Sequence, residues 1–280
     1  RDVAPSRGLG DVYKRQTIED EFGFPVLIRG KGGVRLTENG RALLPAIREI
    51  LNANDHMDQI VANIRGMSFG RLRIGTFASA SVLWLPKIIE EFSHDYPGIQ
   101  IEIIVGGNDS LISQLDESCI DFAIMSNPPQ GYEWIHLASD RMLVLLPPGH
   151  RLVDKDRVTL DEIDDDPFIL SNEGFDYDVS QIIKGSGITP RLSFSTMENR
   201  GIIAMIQHGL GVTVMPEMVL DSLESNVITK ELAPCEYRHM GIIVKSVHTA
   251  SLAAKTFISY AKRIISELGT YPPIDGELNA

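Results

Sequence analysis

From residue 72 almost to the C-terminus, short apolar runs of strand length alternate with amphipathic stretches of helix length. No other feature of the chain restricts its fold as strongly. Residues 72–76, 99–105, 122–125, 142–146, 168–170, 191–196, 212–215 and 242–245 read as strands. Residues 81–92, 110–117, 177–184, 199–208, 217–224 and 251–267 read as helices. Strand followed by helix at this spacing predicts parallel sheets covered on both faces. Roughly two hundred residues so patterned make either one large sheet or two smaller α/β lobes.

Upstream the period changes. Leu43, Ile47, Ile50, Asn54, Met57, Val61 and Ile64 are spaced alternately four and three residues apart, a heptad seam on one helix over 37–65. Asn54 either faces water or pairs with its symmetry mate in a dimer, which would fix the register. Pro45 removes a backbone hydrogen bond to Arg41 and is expected to bend the first turns. Glycines at 66 and 70 end the helix and make a hinge.

Before that helix, 27–29 and 34–36 read as two short strands, with Gly30, Gly32 and Gly33 reversing the chain between them. Arg29, Lys31 and Arg35 crowd the tip, and Thr37 suits the N-cap of the following helix. This is either an ordinary exposed hairpin or the wing of a winged helix-turn-helix, whose cations lie along DNA phosphates or a narrow minor groove.

Residues 18–29 (Ile-Glu-Asp-Glu-Phe-Gly-Phe-Pro-Val-Leu-Ile-Arg) and 34–40 (Val-Arg-Leu-Thr-Glu-Asn-Gly) resemble the LysR-type transcriptional regulators, at the end of their recognition helix, their wing and the start of their linker helix. Asp121-Phe122-Ala123-Ile124 and Gly209-Leu210-Gly211-Val212-Thr213-Val214-Met215-Pro216 are similar to two hallmark segments of that family's effector domain. The resemblance covers about 17–268 and selects two lobes over one sheet. It implies an α/β effector domain of the two-lobed type II periplasmic-binding-protein fold, preceded by a long linker helix and the remnant of a winged helix-turn-helix. The expected divisions are 17–40 for the head remnant and 37–66 for the linker and dimerisation helix. Lobe I would hold 70–148 and 246–268, lobe II 149–245, and a tail 269–280. The family often carries a proline where Pro45 stands. Ser118 replaces its usual glycine, a departure confined to a turn. Residues 6–16 resemble a translated sequencing adapter, so 1–16 are expected to be a non-native tail standing where most of the recognition helix belongs.

Composition limits the rest. A net charge of −12 argues against a chain that coats nucleic acid all over, yet permits a basic tip on an acidic body. No apolar run reaches the roughly eighteen residues needed to cross a bilayer. Cys119 and Cys235 are too few and too separated for a disulfide framework or a zinc ribbon, and fit a reducing cytoplasm. The seven histidines make no metal-ligand spacing, and the acidic run from Asp161 to Asp166 reads as a solvated helix start. Gly209-x-Gly211 follows a helix instead of a strand, so it is a C-cap and not a dinucleotide loop. No serine lies in a Gly-x-Ser-x-Gly elbow. No catalytic constellation, metal site or cofactor is expected.

A search for binding residues does better. In an open α/β sheet, ligands lie where strands end and helices begin. Ser79 and Ser81 follow the first strand, Asn108 the second, Ser126 the third, and Ser195 and Thr196 lie between strand and helix in the other lobe. Each hydroxyl could be an N-cap alone. Which of Ser79 and Ser81 points inward is open, and Asp109 would repel an anion unless it points away. By resemblance these junctions face an interlobe cleft that takes a small effector, an anion rather than a cation. The implied partners are promoter DNA through Arg29, Lys31, Arg35 and Thr37, the effector, and a homodimer or tetramer built on Ile47, Ile50, Asn54, Met57 and Val61; no membrane partner is expected. The rivals are a solute-binding protein of the same fold, which has no use for the wing or the heptad helix, and an enzyme, which lacks catalytic residues.

Overall fold

The computed structural model describes residues 17–30, 33–64, 69–127, 130–171, 177–196, 198–223 and 226–271. The chain divides into two compact units, Arg1–His56 and Met57–Ala280.

In the first unit, residues 17–22 are helical. Strands β1 (Leu27–Gly30) and β2 (Gly33–Leu36) pair antiparallel, with Ile28 opposite Arg35. The Glu19 carboxylate accepts from the amides of Val26 at 2.7 Å and Leu27 at 3.0 Å, tying helix to hairpin. Thr37 is the expected cap: its hydroxyl accepts from the Gly40 amide at 2.8 Å and donates to the Pro25 carbonyl at 2.8 Å. A Cβ at Gly40 would stand 2.1 Å from the Val26 carbonyl oxygen, so only glycine lets the helix start this close to the hairpin. Helix α1 (Glu38–Ile64) then runs on through Pro45.

The second unit is built on an eight-stranded mixed sheet. Its strands are β3 (Gly70–Thr76), β4 (Ile99–Val105), β5 (Phe122–Ser126), β6 (Glu133–Leu146), β7 (Arg157–Val158), β10 (Thr213–Pro216), β11 (Ile228–Leu232) and β12 (Tyr237–Val244). The order is β4-β3-β5-β12-β6-β11-β7, with β10 also paired to β6. Strands β8 (Phe168–Ser171) and β9 (Leu192–Thr196) pair parallel beside it. Only part of the expected parallel pairing is present. β3 runs parallel to β4 and β5, but β12 is antiparallel to β5 and β6, and β10 and β11 are antiparallel to β6. The chain leaves one lobe along β6 and returns along β12, and a returning strand must run the opposite way.

Strand β5 and the second half of β6 are apolar at nearly every position because both faces are covered. On β5, Phe122 and Ile124 enter one core while Ala123 and Met125 enter another. On β6, Met142, Val144 and Leu146 pack on one side and Leu143 and Leu145 on the other. The period of two sorts consecutive residues into opposite layers. Met142–Leu146 pair with β10 and β11, whereas Glu133–Arg141 pair with β12.

Helices α2 (Ala78–Leu83), α3 (Leu85–Asp95), α4 (Asn108–Asp116), α5 (Tyr177–Ser186), α6 (Asn199–Gln207), α7 (Glu217–Asp221) and α8 (Leu252–Leu268) cover the sheets. The single helix expected over 81–92 is two, broken at buried Trp84, with Pro86 in the first turn of α3 where a missing amide costs nothing. Gly209 caps α6 with φ +75°, as its sequence position predicts. The acidic run forms a short 3-10 turn with a Thr159–Glu162 capping box, and Asp166 pairs with Arg151 at 2.7 Å.

Candidate functional site

Strands β4, β3 and β5 lie side by side and parallel, so their carboxyl ends form one rim. Three short junctions leave that rim and enclose, with parts of α5, α6, α7 and β12, a cavity of about 460 Å³. Ser79, Asn108, Ser126, Asp178, Arg200 and Arg238 are among its lining residues. Ser79 is buried in the first turn of α2, Asn108 opens α4, and Ser126 closes β5. The Asn108 side-chain amide donates to the Ser126 carbonyl at 2.9 Å, holding two of the three junctions together.

Arg238 on β12 is the buried cation of the cavity, 6% exposed. Its Nε donates to Asp140 Oδ2 at 2.8 Å, its Nη2 donates to Ser79 Oγ at 3.3 Å, and its guanidinium lies 4.8 Å from the centre of the Phe77 ring. Asp140, on β6, is fully buried and also accepts from the Met218 amide at 3.1 Å. Burial pushes the Asp140 carboxyl above its usual range, and Arg238 and the Met218 amide pull against that shift. Asp178 is the second buried carboxylate. It accepts from Ser126 Oγ at 2.8 Å and Asn127 Nδ2 at 2.5 Å, and lies 3.9 Å from Arg238 Nη1. Burial raises its pKa too, opposed first by Arg238 and then by the two donors. Asn127 adopts φ +46°, a conformation asparagine tolerates better than most residues, and this turn presents its amide to Asp178.

Ser79, Asn108 and Ser126 therefore line one cavity. Ser81 does not join them: its hydroxyl donates to the Ala78 carbonyl at 2.6 Å within its own helix. Ser195 is exposed, and Thr196 Oγ1 accepts from the Glu198 amide at 3.2 Å; neither is among the residues lining the cavity. The β9–α6 junction reaches the cavity through Glu198, Asn199 and Arg200 instead, and Met197 lies outside the described residues. Asp109 is exposed and is not among the residues lining the cavity. On the hairpin, Arg35 is exposed, while the Arg29 side chain and all of Lys31 lie outside the described residues. Along α1, Ile47, Ile50, Asn54, Met57 and Val61 are exposed.

Sequence reasoning missed Arg238, Asp140 and Asp178. Asp140 stands between Ser139 and Arg141, and Arg238 between Tyr237 and His239, so neither charge stands out from its neighbours in sequence, although a buried charge is stable only when paired. Their separation of 98 residues hides the pairing. A second cavity of about 600 Å³ lies beyond Asp178, lined among others by Thr159, Gln181, Glu236 and Tyr237. Among the described residues, no three His, Cys, Asp or Glu side chains are grouped to hold a metal ion. No described helix is long and apolar enough to cross a membrane.

A two-lobed α/β unit with a polar cavity at its strand ends is the architecture of a small-molecule receptor domain. Residues 65–265 match the LysR substrate binding domain family. The chain is 34% identical over 250 residues to an uncharacterized HTH-type transcriptional regulator of Bacillus subtilis, YvbU, covering 88% of this chain and 86% of that protein. Full-length OxyR from Pseudomonas aeruginosa shares its fold with a TM-score of 0.69 at 20% identity, over 91% of this chain and 84% of OxyR. The effector binding domain of QuiR, solved with shikimate, has a TM-score of 0.64 at 20% identity, over 71% of this chain and 99% of that domain. The chain belongs to the LysR family of HTH-type transcriptional regulators. It is a DNA-binding regulator of transcription with a small-molecule-binding domain, and not a solute-binding protein of similar fold.

Proposed function

We propose that the cavity around Arg238 is the effector site and that the effector is a small polar anion. The observation that carries this reading is the convergence of Ser79, Asn108 and Ser126, from three separate junctions, beside one buried guanidinium. Hydroxyl and amide donors fix orientation, and the guanidinium supplies the charge. The similar QuiR domain holds shikimate, a carboxylate. Binding between the lobes would alter their closure, and the coupling free energy between that site and DNA makes the protein allosteric.

In this reading 17–40 belong to the DNA-binding head. Arg29, Lys31 and Arg35 lie along phosphates, which position the protein without reading bases, and Thr37 sets the start of the linker helix. Helix α1 dimerises through Ile47, Ile50, Asn54, Met57 and Val61, and the exchange between lobes falls within β6 and β12. The protein works in the cytoplasm and catalyses no reaction.

Calorimetric titration with a panel of small carboxylates tests the site. Ser79→Ala and Asn108→Ala should each weaken binding by about 0.5–1.5 kcal/mol, or more where the bond is to a charged group. Ser81→Ala should leave it unchanged. Equal affinity in all three variants would move the site elsewhere.

A further inference from the structure

Asp178 differs from the other cavity residues because its carboxylate already occupies donors that a ligand would need. It comes from the first turn of α5 in one lobe, whereas Ser126 ends β5 and Asn127 follows it in the other. One oxygen takes the Ser126 hydroxyl at 2.8 Å and the other takes the Asn127 amide at 2.5 Å. Arg238 Nη1 stops 3.9 Å away, attracted but not in hydrogen-bond reach. Asp178 is 9% exposed and lines both the 460 Å³ cavity and the 600 Å³ cavity beyond it, so it forms part of the wall between them. Two neutral donors and a guanidinium around a carboxylate are the surroundings of a bound anion, and here the chain supplies the anion itself.

We infer that Asp178 is an internal stand-in for the acidic group of the effector, tying the lobes together and setting the specificity of the cleft by making any anion displace it. The inference rests on the cleft being the effector site. Two carboxylates cannot share Ser126, Asn127 and Arg238 at close range, because like charges in a poorly hydrated site repel strongly. An entering anion must therefore take all of those contacts, while Asp178 turns toward the second cavity and α5 loses its tie to β5. A ligand too small to replace both donors gains less than it breaks, which discriminates by repulsion as well as by attraction.

Succinate and inorganic phosphate serve as probes, titrated calorimetrically into the unaltered chain, Asp178→Ala and Asp178→Asn, with circular dichroism to confirm folding. Both variants should bind at least one probe on the order of tenfold more tightly, since removing a like charge is worth at least that much. Folded variants that bind neither probe more tightly overturn the inference; Ser79→Ala in the Asp178→Ala background then shows whether the cleft itself still binds. Binding by none of the proteins overturns both readings. Hydrogen exchange on the unaltered chain gives an independent result that does not depend on the variants folding. Saturating probe should speed exchange at the start of α5, and slowed or unchanged exchange there overturns the displacement.

Discussion

Helices α1 and α8 have the same signature in sequence, an apolar stripe at helical spacing, and opposite fates in the chain. In α8, Ala253, Ala254, Phe257, Ile258, Ala261, Ile264 and Ile265 are all buried. Ser251 caps its start, accepting from the Ala254 amide at 3.0 Å, and Gly269 ends it with φ +60°. In α1, Ile47, Ile50, Leu51, Met57, Ile60 and Val61 are exposed, Ile50 to 70%. A hydrophobic period reports a face that gains by burial; it does not say whether the same chain supplies the cover. For α8 the sheet and helix α3 do. For α1 a second copy of the chain is the cover we propose, because the spacing is that of a heptad seam.

The largest effect expected from this contrast is in α8. Phe257→Ala should cost about 3–5 kcal/mol, the range for truncating a buried aromatic residue, and the loss should not depend on protein concentration. Urea denaturation of the second unit measures it; a loss below about 1 kcal/mol would mean that the α8 face is as dispensable alone as that of α1.

Ile50→Ala should do the reverse. The unfolding midpoint of the second unit should stay where it is, while self-association weakens by about 1.5–3 kcal/mol, the worth of burying one large aliphatic side chain. Sedimentation at several concentrations decides between the alternatives. Asn54→Leu should instead strengthen association but loosen its register. A chain monomeric throughout would remove the seam argument.

The smallest effect uses pH to probe the unit that holds α8. His136 and His239 face each other across β6 and β12 with ring centroids 5.7 Å apart, and Ser139 Oγ lies 3.0 Å from His239 Nδ1. Burial, and then repulsion from His239, lower the His136 pKa. A depressed histidine is neutral in both states at high pH. Below about 6.5 the unfolded chain takes up the proton first, so stability falls on acidification until the folded pKa is passed. His136→Gln should flatten that part of the pH dependence of thermal unfolding. An identical slope in the variant would assign the loss to other groups.

Much of the second unit could be read from local pattern. The alternation located β4 at its observed bounds and β5 to within one residue, because runs flanked by glycine or polar turns have one sensible register. The first half of β6 was not legible. Glu133–Arg141 mixes charged, aromatic and small residues, and Ser139 and Asp140 are buried there only because partners from β12 and α7 receive them. β11 was missed for a related reason: Ile228–Leu232 carries Thr, Lys and Glu and owes its strand form to pairing with β6 and β7. In the cavity, strand ends and helix starts picked out Ser79, Asn108 and Ser126. The same rule named Ser195 and Thr196, whereas at that junction the residues lining the cavity are Glu198, Asn199 and Arg200.

The sequence by itself determined the class of fold, the hairpin with its Thr37 cap, the Gly209 helix end and the family, since each depends on residues within a few positions of one another. Periodicity, capping and turn chemistry act over a pleat or a turn of helix, and the chain records them locally. Only the tertiary structure decided which strands pair with β6 and β12, whether Ser79 or Ser81 lines the cavity, and which charges are buried together. Asp140 meets Arg238 across 98 residues and Asp178 meets Ser126 across 52. A buried charge is stable only where a partner is delivered to it, and the closing of the sheet around β6 and β12 makes that delivery.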